Sequence, residues 1–226
     1  MSRALRHDRS ANLLRRAGPT ILGEPAKGDG EVSPAAMRPP ARVERFGPGE
    51  SIARPKPGDF ILVRGHGLIS PLIHWVQRLR FSRHEDRKFL HWTHVALVTS
   101  THGRIVEVVP RGVVAQQIEK YRRAEYHYVH LDVPDSDRWA GVLFAELCVG
   151  QRYGRLSFLA LGLAALTRRQ LQIQDPRRQH CVSLVIRALE RMRGEFGREA
   201  LDMMPADLAK HYNITPRSEP DPTWHR

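Results

Sequence analysis

Cysteine is nearly missing. Cys148 and Cys181 are the two in 226 residues, too few for a disulfide framework, and no CxxC pair suggests a zinc ribbon. Aromatic side chains make up 7 % of the chain and no nucleic-acid-binding motif is present, so specific nucleic-acid recognition is not expected. No apolar run reaches the roughly 18 residues of a membrane-spanning helix. The longest, residues 156–166, has the length of a core helix. The arginines near the start (Arg3, Arg6, Arg9, Arg15, Arg16) surround Leu5, Leu13 and Leu14, without the continuous apolar stretch of a secretory signal. These absences lead to the expectation of a cytoplasmic protein with no transmembrane segment.

What the chain has in excess is positive charge, +12 at neutral pH and mostly arginine. Such a balance fits contact with an anionic surface, and equally a solvated exterior. Proline and glycine are concentrated early. Eight of the sixteen prolines fall between Pro19 and Pro57, with Gly23, Gly28, Gly30, Gly47 and Gly49 among them. A stretch of that composition does not repay its ordering entropy by burial. Residues 1–54 therefore read as a disordered basic tail, able to touch an anionic surface. Residues 55–214 read as the folded domain and 215–226 as a polar tail.

Within the domain, the most telling stretch is residues 179–191. Residues 181, 185, 188 and 192 repeat at helical spacing as an apolar stripe, while Arg187, Glu190 and Arg191 fall on the opposite side. Asp175-Pro176 ends any earlier helix, which puts Cys181 in the first turn of a new one. Unpaired N–H groups and the positive end of the helix dipole favour a thiolate there, and Arg177, Arg178 and His180 add charge of the same sense. Cys148 sits inside an apolar helical run, where a packing role is expected.

Upstream, Pro57-Gly58-Asp59 reads as a turn before the strand Phe60-Ile61-Leu62-Val63. Ser70-Pro71 opens a helix to about Arg80, and the charged residues 82–88 read as a mobile loop. Residues 92–99 and 104–109 form a hairpin across the turn Ser100-Thr101-His102-Gly103. If Thr99 faces Arg104, Ala96 faces Glu107, and His94 shares a sheet face with Glu107 as its diagonal neighbour. A slip of one residue would separate the two. Further strands are expected at 112–115 and 126–131, with His127 on the surface. Helices are expected at 135–149, capped by Ser136 and closed by Gly150, at 158–168, and from Pro205.

Taken in order, Pro57-Gly58-Asp59-Phe60-Ile61, Thr93-His94-Val95-Ala96-Leu97-Val98, Val106-Glu107-Val108, Cys181-Val182-Ser183-Leu184-Val185 and Met204-Pro205-Ala206-Asp207-Leu208 resemble the signature blocks of the permuted papain-like amidases. These are the YaeF/YiiX group of the NlpC-type cysteine hydrolase superfamily, to which lecithin retinol acyltransferase is distantly related. Ser183 stands where the family often has an acidic residue, and Ala96 where it often has glycine. The resemblance implies an α+β fold of circularly permuted papain-like type, with an antiparallel sheet packed against helices. It implies Cys181 as nucleophile, His94 as base, Glu107 as the third polar residue and Tyr153 as a further site residue. The activity implied is that of an amidase or peptidase acting on a small peptide or acyl amide, with no metal or organic cofactor. Alternatives are a lipid acyltransferase or thioesterase on the same fold, or a non-catalytic basic binding module.

Overall fold

The computed structural model describes residues 42–65, 70–151 and 181–216. Tyr153, the expected helix at 158–168 and most of both expected tails lie outside them. The described elements are, in chain order, β1 (Arg42–Phe46), β2 (Phe60–Val63), α1 (Ser70–Arg80), β3 (His94–Val98), β4 (Arg104–Val109), β5 (Gly112–Gln117), β6 (Tyr126–His130), α2 (Asp135–Cys148), α3 (Cys181–Arg191) and α4 (Pro205–His211). Short 3-10 helices cover His84–His91, Ile118–Tyr121 and Ala200–Asp202.

The six strands make one open antiparallel sheet in the order β1-β6-β2-β3-β4-β5. β2 is central, and all four of its residues are buried. Its alternation divides the interior in two. Phe60 and Leu62 enter the larger core with Val95, Leu97, Val106 and the helices α2 and α3. Ile61 and Val63 enter a smaller core on the other face with Ala96, Val98, Ile105, Tyr126 and Ile118. α3 is buried beyond the stripe its sequence suggests: Val182 through Ile186, Ala188 and Leu189 are all inaccessible, because the helix lies between the sheet and α2. That approach needs Gly141 on α2, where an added methyl would sit 2.5 Å from the Ala188 carbonyl oxygen.

Asp59, in the turn before β2, ties α2 to the sheet. It is fully buried and accepts from Arg138 Nη1 at 2.7 Å and from the Leu131 N–H at 3.0 Å. Arg138 also donates to the carbonyls of Pro57, Val133 and Leu131. Gly58 has φ +89°, and its missing side chain leaves room for the Arg138 stem 3.1 Å away. The Pro57-Gly58-Asp59 block is thus a receptacle for one buried guanidinium, paired closely with the buried Asp59 and at 3.7 Å with the exposed Asp135.

Several expectations change. The folded region starts before residue 55: Arg42–Phe46 pairs with β6 as an edge strand and Ile52 is buried. Only Val43 and Phe46 of that strand pack inward, so its sequence resembles a polar linker. The charged segment after α1 is a 3-10 helix that buries Asp86, Phe89 and Leu90, with Lys210 paired to Asp86 at 2.8 Å. Ser136 does not cap α2; Pro134 holds the N-cap position and makes no side-chain cap. His127 is fully buried against Trp92, with ring centroids 4.4 Å apart. Both faces of its strand are covered, Val129 by the larger core and Tyr126 and Tyr128 by the smaller one. No helix among the described residues is long and apolar enough to cross a membrane.

Candidate active site

β3 and β4 pair with Leu97 opposite Val106 and Val98 opposite Ile105. Continued, this register sets Ala96 against Glu107 and puts His94 on the same face, as the four-residue turn predicts. The diagonal is closed by a hydrogen bond of 2.6 Å between His94 Nε2 and Glu107 Oε2. Both side chains lie on the face of the smaller core. His94 is the first residue of β3, so it stands at the end of the sheet, where it can meet the start of a helix packed on the opposite face. Cys181 begins that helix and is half-buried. Its thiol neighbours His94 and is among the groups that raise the imidazole. With Nε2 engaged by the carboxylate, Nδ1 is the ring nitrogen left for the sulfur.

The electrostatics follow from burial and partners. Burial alone would pull the imidazole down, but the hydrogen bonds and charges of Cys181 and Glu107 outweigh it, raising His94 from 6.5 to about 9. Glu107 is completely inaccessible, and burial pushes its carboxyl up. His94, Lys120 and Tyr121 reverse that and bring it down to about 2. At neutral pH the pair is an imidazolium on a carboxylate.

Lys120 and Tyr121 are site residues that the sequence reading missed. The Lys120 ammonium donates to Glu107 Oε1 and the Tyr121 hydroxyl to Oε2. Both come from the 3-10 helix Ile118–Tyr121, which β5 delivers onto the smaller core. Burial first, then the charges of Glu107 and Cys181, push the Tyr121 hydroxyl far above its ordinary value, so it remains a donor. Its ring centroid lies 6.0 Å from that of His94. A buried anion with an imidazolium on one oxygen and an ammonium on the other has both charges answered, and the phenol fills a further lone pair. The only prior signal was the adjacency of a basic and an aromatic residue just after a strand, which is common at surfaces.

Of the expected site residues, Cys181, His94 and Glu107 are brought together, while Tyr153 lies outside the described residues. Cys148 is 4 % exposed and belongs to the larger core, away from this constellation. Ala96 is buried in the smaller core and Ser183 is buried in α3. Among the described residues, no group of three or more His, Cys, Asp or Glu is placed to hold a metal ion. No protein-family model matches the chain, and a search of curated proteins finds no match either.

Proposed function

We propose that the chain is a cysteine-dependent amidase or peptidase on a circularly permuted papain-like fold, with Cys181 as nucleophile. The observation that carries this reading is the His94–Glu107 hydrogen bond of 2.6 Å with Cys181, at the start of α3, beside the same imidazole. The chain order of His strand, carboxylate strand and then Cys helix supports the permuted form of the fold.

In the reacting form the proton rests on His94 and the sulfur is a thiolate. The thiolate attacks an amide carbonyl carbon, forming the C–S bond and an oxyanion. The backbone N–H of Cys181, at a helix start whose first N–H groups have no intrahelical partner, is the donor available to that oxyanion. Collapse breaks the C–N bond, and His94 gives its proton to the leaving amine. Neutral His94 then takes a proton from water as it attacks the thioester. The carboxylic acid leaves and the sulfur returns to thiolate. Glu107 holds the ring in one orientation and stabilises its charged form.

The test uses the full-length chain with iodoacetamide and with acyl nitroanilides and nitrophenyl esters of short peptides. Cys181 alkylates near neutral pH while Cys148 stays inert, and intact mass shows one acyl group on Cys181. Cys181→Ser removes both. Equal slow labelling of the two cysteines, with no acyl adduct, would leave the basic binding module as the better reading. Acyl transfer to an added alcohol in preference to water would favour the acyltransferase.

A further inference from the structure

Among the described residues, α1 is held by one face only. Val76 and Gln77 are buried, and the Gln77 side chain fixes the helix in rotation. Its amide donates to the Trp92 carbonyl at 3.0 Å, and its carbonyl accepts from the Ala206 N–H at 2.9 Å. With the rotation fixed, Leu72, Trp75 and Leu79 are turned outward in a single stripe, 38 %, 41 % and 53 % exposed. Three large apolar side chains in one row on a wet helix face are a cost to a free monomer.

At the C-terminal end of the same helix lies a cleft of about 480 Å³. Its described lining includes Arg80, Arg83, Arg198 and Lys210, against the carboxylates of Asp86 and Asp207. Lys210 pairs with Asp86 at 2.8 Å and Arg198 with Asp207 at 3.1 Å, while Arg80 lies 3.9 Å from Asp207 and Arg83 3.9 Å from Glu85, so four cations meet three carboxylates and one positive charge is in surplus. None of Cys181, His94 and Glu107 lines it. Arg78 adds a further exposed cation beside the stripe.

We propose that α1 and this cleft form a docking surface for an anionic phospholipid bilayer, with Leu72, Trp75 and Leu79 entering the acyl boundary and the cleft facing headgroup phosphates. A helix lying in the interface needs an apolar stripe, an aromatic ring at headgroup depth and cations beside them, and α1 supplies all three. The occupant is chosen by charge. The apolar residues continue into a basic cleft, which complements a phosphate layer. The second exposed apolar row, Trp139, Leu143 and Leu147 on α2, adjoins Asp135, Asp137 and Glu146, which pair one to one with Lys56, Arg193 and Arg104, and these pairs leave no surplus. The surface is independent of the catalytic reading.

The experiment is co-sedimentation of the full-length chain with vesicles of phosphatidylcholine alone and of phosphatidylcholine mixed with phosphatidylserine. The chain binds the mixed vesicles more strongly. Arg-rich residues outside α1 would attract anionic lipid by charge alone, so the decisive variant leaves charge untouched. Leu72→Ser/Leu79→Ser loses about tenfold or more in partitioning, and Arg78→Gln/Arg83→Gln loses roughly fivefold per charge. Circular dichroism confirms that both remain folded, and Trp75→Ser alone is the fallback if the double variant does not. Undiminished binding by the leucine variant overturns the proposal, as does absence of binding to mixed vesicles. A concentration-dependent dimer that the leucine variant dissolves, without vesicle binding, would assign the stripe to a second copy of the chain.

Discussion

Replacing Glu107 by glutamine is nominally conservative, yet the site cannot accommodate it. Oε1 faces the Lys120 ammonium, while Oε2 faces both His94 and the Tyr121 hydroxyl. An amide offers an acceptor on one side only. With its oxygen toward His94, the NH2 group meets an ammonium; with its oxygen toward Lys120, the NH2 group meets the imidazolium. Either way two donors oppose each other in a buried place, which costs about 1–3 kcal/mol. Burial, the largest influence on His94, then acts with less opposition. Raising an imidazole from 6.5 to about 9 corresponds to about 3 kcal/mol of preference for the charged form, at about 1.4 kcal/mol for each unit. Losing roughly half of that moves the midpoint down by about one unit or more and slows acylation about 10- to 100-fold. His94→Ala removes the base itself and loses more. The double variant is little worse than His94→Ala, since groups acting as one unit are not additive. The assay is the NMR titration of His94 in the wild type and in Glu107→Gln, alongside the pH profile of Cys181 alkylation. A His94 midpoint that stays near 9 in Glu107→Gln would refute the reasoning, because the carboxylate would then not be what sustains the imidazolium.

Two further outcomes are expected. Asp59→Asn strands the buried Arg138 charge and costs about 3–5 kcal/mol, read as a lower midpoint in urea unfolding, while the remaining folded protein keeps its alkylation rate. Stability also has a defined pH window, measured by thermal unfolding across pH. His94, raised to about 9, contributes fully below 6.5 and is lost as the pH climbs through 9. Glu107, lowered to about 2, contributes above 4.5 and is lost as the pH falls toward 2. His127 is pushed below 6.5, chiefly by burial, so the unfolded chain binds its proton first and stability declines as the pH drops beneath 6.5. A Tm independent of pH between 5 and 9 would contradict both histidine assignments, and one that does not fall as the pH drops from 4.5 toward 2 would contradict that of Glu107.

The candidate site was legible where local rules suffice. A four-residue turn and period-two alternation determine the His94–Glu107 diagonal, and a helix start at Cys181 follows from apolar spacing after Asp175-Pro176. Legibility failed where partners come from distant segments. β1 carries two inward residues in five, and only its ladder with β6 makes it a strand. Tyr126-His127-Tyr128-Val129-His130 alternates as a half-wet strand would, but a core packs on each of its faces and buries it. The contact of Lys120 and Tyr121 with Glu107 depends on how a 3-10 turn crosses a sheet face, for which no spacing rule exists.

The row that runs from Cys181 through His94 and Glu107 to Lys120 alternates in sign. Once Cys181 is a thiolate, its two anions and two cations cancel. A cancelled row has almost no monopole, so its potential dies away within a few ångströms instead of reaching into solvent. Lys120 closes the row from the outside, with a third of its side chain exposed. An approaching substrate therefore meets a centre that is electrically quiet at range and intensely polar only on contact. Whatever draws an anionic partner toward this molecule, and whatever added salt weakens, must come from the arginines elsewhere on the chain and not from the reacting centre.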